Sequence, residues 1–289
     1  MNDVAQFDNY RPLLFSIAYR MLGSQMEAED IVQECFLRWQ TVSTAEVQST
    51  KAYLTSIVTR LCIDHLRSAK VKRETYIGSW LPEPLIAEQP PGTDSSVALA
   101  ESLSMAFLVL LESLTPIERA AFLLREVFDY DYAEIAAMID KSEANCRQLV
   151  RRARQHISNR RPRFDPTPEQ QERLTVQFME TCLQGDMPGL LNLLADDITV
   201  WSDGGGKVAA ARRPIFGADR VAHFFITLTG KVPDNVITKA AWINGQPGLI
   251  SYFNGRPENV LIMDIADDRI QTIYAIRNPD KLQRVPSYR

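Results

Sequence analysis

Apolar positions recur at three- and four-residue steps through most of the first 160 residues, the period of amphipathic helices. Phe7, Tyr10, Leu13, Leu14, Ile17, Ala18, Met21 and Leu22 form one stripe. Ile31, Val32, Cys35, Phe36 and Trp39 form a second, and Leu54, Ile57, Val58, Leu61, Cys62 and Leu66 a third. Such stripes pack a core. The period is lost over 76–96, where Pro82, Pro84, Pro90 and Pro91 cannot sit inside a helix. Trp80, Leu81 and Leu85 are too apolar for a solvated linker, so this segment is expected to dock. Helix resumes at Leu99–Leu114. Thr115-Pro116-Ile117-Glu118 and Asp131-Tyr132-Ala133-Glu134 each place a capping side chain three residues before a glutamate. A short helix to Ile139, a turn at Asp140-Lys141 and a new cap at Ser142 predict two short helices, a tight turn and a second helix rich in arginine.

The pattern changes after a break at Arg161-Pro162-Arg163-Phe164-Asp165-Pro166. Thr167 caps a helix reaching about Gln184, and strand-like runs follow at Ile198–Trp201, Val260–Ile265 and Arg269–Ile276. Val236–Ile243 and Gly248–Phe253 flank Asn244-Gly245, a hairpin signal. Two or three helices against a curled antiparallel sheet, an α+β cone, are expected over 168–289.

The chain has 289 residues, which suits two or three domains. The longest uninterrupted apolar run, Met105–Leu111, is too short to span a membrane. The N-terminus carries Asp3 and Asp8 and no apolar stretch, so no secretory signal is expected. Cys35, Cys62, Cys146 and Cys182 are scattered with no CxxC, which disfavours a disulfide framework or a zinc site and suits a reducing cytoplasm. A net charge of −4 argues against a generally basic nucleic-acid binder, yet it hides patches. Residues 51–73 hold six basic side chains and one acid, and 141–163 hold eight and one. Glu27, Glu29, Asp30 and Glu34 form an acidic patch with no base among them. Opposite patches on one chain imply separate surfaces for separate partners.

The segment Asp131–His156 reads as a helix-turn-helix. Ile135, Ala136, Ile139, Cys146, Val150 and Ala153 fall on one face as its internal core. Glu143, Asn145, Arg147, Gln148, Arg151, Arg152 and Arg154 stay outside, residue types suited to base edges and phosphates. The bland reading is a solvated cationic helix end. This segment implies DNA without naming a process.

Glu27-Ala28-Glu29-Asp30-Ile31-Val32-Gln33-Glu34-Cys35-Phe36-Leu37-Arg38 resembles the signature of sigma factor region 2, the surface that binds core RNA polymerase. Ala52-Tyr53-Leu54 through Ile63-Asp64-His65-Leu66-Arg67 resembles the part that melts and reads the −10 element, and the helix-turn-helix stands at the spacing of region 4, the reader of the −35 element. Without intermediate domains, the chain resembles the extracytoplasmic-function (ECF) sigma factors. Trp80-Leu81-Pro82-Glu83-Pro84-Leu85, Asp203-Gly204-Gly205-Gly206-Lys207 and Asn278-Pro279-Asp280-Lys281-Leu282 resemble motifs of ECF members that carry a fused SnoaL-like extension with an NTF2-like cone fold. Many members carry Asn where this chain has Arg60, so that base contact is not carried over.

The resemblance implies two all-α sigma domains, a region 2 bundle (5–75) and a region 4 helix-turn-helix (97–160), followed by the NTF2-like cone (168–289), with linkers at 76–96 and 161–167. It assigns Asp30, Gln33 and Glu34 to core polymerase. Arg60, Arg67, Lys70 and Arg73 would face −10 DNA, and Glu143, Asn145, Arg147, Gln148, Arg151 and Arg154 the −35 element. Trp80, Leu81, Pro82, Glu83, Pro84, Asp203, Gly204, Gly205, Gly206, Lys207, Asn278, Pro279, Asp280, Lys281 and Leu282 would make a regulatory contact in cis. No metal, organic cofactor, membrane or separate anti-sigma factor is required; a small molecule in the cone remains open. His223 and Asp203 are the available pair for proton transfer, walled by Trp201, Trp242 and Tyr252, although a histidine beside Phe224 and Phe225 is more often packed in a core. The rival readings are a ligand-responsive helix-turn-helix regulator, which gives the acidic 27–34 segment no task, and a SnoaL-like enzyme with a DNA-binding appendage, which needs a cavity of converging polar groups.

Overall fold

The computed structural model describes residues 4–42, 47–74, 76–87, 103–158, 166–233 and 235–288. It divides into two compact units, one from residues up to 75 together with 107–161, the other from 76–106 together with 162–289.

The first unit is helical. α1 (Val4–Asp8), α2 (Arg11–Leu22), α3 (Gln25–Thr41) and α4 (Thr50–Glu74) are followed by α5 (Met105–Leu111), α6 (Pro116–Glu126), α7 (Tyr132–Ile139) and α8 (Glu143–Ser158). The apolar stripes face inward: Phe7, Leu14, Val32, Cys35, Trp39, Leu54, Val58 and Cys62 are all 2% exposed or less. Residues 99–102, at the start of the expected helix before Thr115, lie outside the described residues. Thr115 and Asp131 close capping boxes with Glu118 and Glu134, and Ser142 Oγ accepts from Asn145 N at the start of α8. The turn between α7 and α8 is made by Asp140 at φ 53°. Regions that read as separate domains in the sequence pack here as one body.

The second unit is a seven-stranded sheet in the order β1-β4-β5-β6-β7-β2-β3 with helices on it. Its elements are β1 (Ile86–Ala87), α9 (Pro168–Gln184), α10 (Met187–Leu193), β2 (Leu194–Asp203), β3 (Ile215–Phe216), α11 (Ala218–Thr229), β4 (Val236–Ile243), β5 (Gln246–Phe253), β6 (Arg256–Ala266) and β7 (Arg269–Ile276). The sheet is mixed and not purely antiparallel, because β2 runs parallel to β7. Leu174, Phe178, Val221 and Phe225 from the helices meet Ile198, Val200, Leu261, Met263, Ile273 and Ala275 from one sheet face. The opposite face is buried too, at Ile250, Tyr252, Val260, Ile262, Tyr274 and Ile276. Burial on both faces explains why Val260–Ile265 reads as a near-continuous apolar run. The C-terminal segment returns to that face, with the Tyr288 ring 5.7 Å from Tyr252.

Residues 76–87 are part of this unit. β1 pairs with β4, Ile86 opposite Ile243 and Ala87 opposite Trp242. Asn244 holds its approach from both sides: its N donates to Leu85 O at 2.8 Å and its Oδ1 accepts from Leu85 N at 3.0 Å. Deeper in, Asp203 is fully buried and its carboxylate accepts from Tyr76 Oη (2.6 Å), Leu81 N (2.9 Å), Gly205 N (3.0 Å) and Lys281 Nζ (2.7 Å). Lys281 also donates to Leu81 O, and its ammonium lies 4.1 Å from the Trp80 ring centroid. Removing one member leaves the other charge buried and unpaired. Asp203→Ala is expected to cost about 3–5 kcal/mol, and Asp203→Leu with Lys281→Met together markedly less. Denaturant unfolding followed by near-ultraviolet circular dichroism checks this, and equal losses for single and double variants would contradict the pairing.

Candidate nucleic-acid interface

α8 carries the clearest surface. Cys146, Val150, Ala153 and Ile157 are buried along it, 5% exposed or less. Glu143, Asn145, Arg147, Gln148, Arg151, Arg152 and Arg154 are all exposed. Helical spacing therefore sorts the segment into a core face and a polar face, as the sequence indicates. Arg147 is pre-oriented: Nη2 lies 2.9 Å from Glu143 Oε2, and its guanidinium carbon sits 4.9 Å from the Tyr132 ring centroid. Arg125 lies 5.2 Å from the same ring. Arg154 Nη2 is 2.7 Å from Glu126 Oε1, so α6 positions the next basic side chain. Tyr132 escapes a sequence reading because it stands in the capping segment of another helix.

On α3, Asp30 and Gln33 are exposed and Glu34 is partly so, bonded to Arg38 at 2.9 Å. Met26 (52% exposed) and Leu37 (49%) lie four residues before and seven after Asp30, so they share its face. These apolar neighbours were legible only as residues outside the core stripe. An acidic face with exposed apolar members suits a protein partner better than a nucleic acid.

The basic residues of α4 separate. Arg67 is exposed and lies 3.4 Å from Asp64. Arg60 instead donates from Nε to Met138 O (2.8 Å) and from Nη2 to Ala137 O (2.9 Å). Lys70 and Arg73 are on the last turns of α4, and their side chains lie outside the described ones.

The motif residues of the second unit converge on Asp203. Asn278 Nδ2 donates to Tyr76 Oη at 2.9 Å, the Asn278 backbone N donates to Asp203 O, and Lys207 pairs with Asp280 at 2.5 Å. Trp80, Leu81, Pro82, Glu83 and Pro84 are buried or half-buried, as are Asp203, Gly204, Gly205, Asn278, Lys281 and Leu282; Gly206, Lys207, Pro279 and Asp280 are exposed. Gly205 has φ 61°, and a Cβ there would stand 2.4 Å from Asn278 Nδ2, so the turn admits only glycine. Burial and the bond to Asp203 push the Tyr76 phenol pKa well up, so it stays a donor. The Asp203–Lys207 turn is thus half buried, and it touches the 76–81 segment and Asn278.

The proposed proton-transfer pair does not form. His223 is exposed on α11 with Nδ1 2.8 Å from Asp219 O, a correction to its expected place in a core. Asp203 is taken up by Lys281, Tyr76 and two backbone amides. Trp201 alternates with Ile198 and Val200 and so lies on the sheet face away from the helices. A cleft of about 140 Å³ lies beside Ile77, Gly78, Ser202, Gly204 and Arg212. Among the described residues no three His, Cys, Asp or Glu side chains cluster as a metal site requires. All four cysteines are buried, and burial pushes the Cys35 and Cys182 thiols up to about 12. No described helix is long and apolar enough to cross a membrane.

Sigma-70 region 2 matches residues 6–71 and sigma-70 region 4 matches 104–157. The ECF RNA polymerase sigma factor SigJ of Mycobacterium tuberculosis is 35% identical over 98% of this chain and 94% of its own. The chain belongs to the ECF RNA polymerase sigma factors. The crystal structure of SigJ matches at TM-score 0.74 and 32% identity, covering 96% of this chain and 98% of that one. A probable ECF sigma factor of the same organism, SigI, is 31% identical over 94% of this chain and 92% of its own. The architecture is accordingly helical sigma regions 2 and 4 followed by an NTF2-like domain, and the chain is an alternative sigma factor of transcription initiation.

In this sigma factor α7 and α8 are the helix-turn-helix of region 4. Arg147→Ala or Gln148→Ala is expected to change discrimination at one base pair by about 1–3 kcal/mol. Arg154→Ala should weaken all sequences alike and lower the log–log salt slope by about 0.9 for each phosphate that is no longer neutralised. Tyr132→Ala should blur the same base position as Arg147→Ala. Binding titrations over a library of −35 duplexes at several salt concentrations check all three.

Proposed function

We propose that core RNA polymerase docks on the α3 face through Asp30, Gln33 and Glu34, with Met26 and Leu37 as its apolar members. The exposed face of α8 reads the −35 element, and α4 faces the −10 element with Arg60, Arg67, Lys70 and Arg73 toward the opened strand. What carries this reading is the sorting of α8: Glu143, Asn145, Arg147, Gln148, Arg151, Arg152 and Arg154 are outside, and Cys146, Val150, Ala153 and Ile157 are inside. A rival regulator that never meets polymerase has no use for the α3 face. The cone is read as a regulatory domain; His223 and Asp203 each have other partners.

Regulation in cis follows from chain connectivity. The segment leaving α4 is anchored to the cone sheet at 76–87, so only residues 88–104 lie between that anchor and α5. Anchoring part of a tether changes the effective concentration of the groups it joins. The cone thereby sets how readily regions 2 and 4 reach the separation that polymerase and promoter require. Regulation in cis of this kind is compatible with a separate anti-sigma protein.

Two measurements test this. Asp30→Lys with Glu34→Lys should weaken core polymerase binding by tenfold or more, on the order of 1.4 kcal/mol, with native circular dichroism; unchanged core affinity would remove the α3 assignment. Trp80→Ala with Asn244→Ala should loosen 76–87 from the cone and alter promoter-dependent transcription in vitro while core affinity stays constant. Transcription at the wild-type level, with faster hydrogen exchange at Leu81 and Leu85, would make the cone a passenger.

A further inference from the structure

The helix that faces the −10 element in this reading is occupied by region 4. Thr55, Ser56, Thr59 and Arg60 lie at helical spacings on one side of α4. Against them stands the end of α7, whose final carbonyls lack intrahelical partners. Ala136 O accepts from Asp140 N and Lys141 N in the turn that follows. Ala137 O and Met138 O are taken by the Arg60 guanidinium, at 2.9 and 2.8 Å, and Ser56 Oγ lies 3.4 Å from Met138 O. A cation at a helix C-terminus also meets the negative end of its dipole. Beside this contact Thr55 Oγ1 and Tyr130 Oη form a buried hydrogen bond of 3.0 Å, and Lys51 lies 5.2 Å over the Tyr130 ring.

The contact is reciprocal. Arg119 of α6 is buried and donates to Met21 O at 2.6 Å, in the last turn of α2, and to Glu112 at 2.7 Å. Arg20 of α2 lies 5.7 Å from the Phe128 ring, and burial lowers its pKa to about 10. Each region thus supplies an arginine that ends a helix of the other. The two arginines differ in one respect: Arg119 is enclosed, whereas Arg60 is exposed and can exchange partners without a buried charge being stranded. Closure also has a defect, because Thr59 Oγ1 is buried and finds no hydrogen-bond partner among the described residues.

We propose that Arg60 is a latch with two alternative partners: the α7 carbonyls, which close region 4 over α4, and the phosphates of single-stranded −10 DNA, which receive it when the regions part. The α8 face stays exposed in the closed form, so the sigma factor can meet −35 duplex before α4 is uncovered. This rests on the reading of α4 as the −10 face. Because the strand binds only the open form, it must shift the balance toward opening, and anything that weakens closure must tighten the strand.

The test uses the full chain with cysteines introduced at exposed Gln40 and Ala133 for distance labels, the four native thiols being buried. Short oligothymidylate serves as the strand. Tyr130→Phe leaves the Thr55 hydroxyl unpaired and should raise the wide-separation population and the strand affinity together, by about tenfold. Thr55→Val with Tyr130→Phe replaces both polar partners and should return the population toward wild type. Arg60→Met should also widen the separation but show no gain in strand affinity, since it removes the latch and the phosphate partner at once. Unchanged separation in both Tyr130→Phe and Arg60→Met would overturn the latch. Widening by Tyr130→Phe with no gain in strand affinity would instead overturn the reading of α4 and with it the proposal.

Discussion

The second unit is organised around a carboxylate that cannot reach water. Asp203 ends β2, fully buried, and a buried charge is tolerated only when it is paired and its lone pairs are filled. Here they are filled by segments far apart in the sequence: Tyr76 and Leu81 before the cone, Gly205 in the turn after β2, and Lys281 beyond β7. The requirement explains the chemistry of three motifs at once. Gly205 is needed because a side chain there would strike Asn278, Lys281 because the carboxylate needs a counter-charge, and Trp80 because the ammonium needs an aromatic face on its remaining side. Segment 76–87 is therefore fixed by electrostatics before it is fixed by the short strand it adds.

The first unit meets a related constraint with different means. Helix ends leave carbonyls unsatisfied, and where two helical regions pack they must be satisfied by the partner or by water. Arg119 and Arg60 do this across the contact between the helices of region 2 and those of region 4. A guanidinium suits the task because its donors form a planar fork and can serve adjacent carbonyls, as Arg60 does at Ala137 and Met138.

Much of this is readable in the sequence. Caps at Thr115, Asp131, Ser142 and Thr167, the Asn244-Gly245 hairpin and the Arg269–Ile276 strand all follow from local chemistry, and local chemistry is what a sequence displays. The parallel pairing of β2 with β7 is not readable there, because period-two alternation reports a strand's faces and is silent on its direction. Pro82 and Pro84 mark the absence of helix correctly over 82–87, but strand addition by Ile86–Ala87 depends on a partner edge some 155 residues away along the chain. Arg60 is the sharpest case. A basic residue on a basic helix suggests nucleic acid, and only the fold shows that two helix-end carbonyls already hold it. Tyr132, Tyr76 and Asn244 escape for the same reason: each acts on a residue distant in sequence.

The two kinds of fixation differ in magnitude, and that difference decides which joint moves. Breaking a buried pair such as Asp203–Lys281 costs about 3–5 kcal/mol, which is too much for a joint that must open in normal use. A cation at an exposed helix end is worth about 0.3–1 kcal/mol, and one buried neutral hydrogen bond adds about 1. The unpaired Thr59 hydroxyl takes some of that back. The Arg60 and Thr55 contacts that α4 makes with α7 and Tyr130 are therefore of the size that a strand of DNA, with several phosphates to offer, can outcompete, while the buried Arg119 at the end of α2 holds the other side of the contact. Segment 76–87 stays with the cone, and the place to open is within the helical unit, between the helix that meets the −10 strand and the helices that meet the −35 duplex.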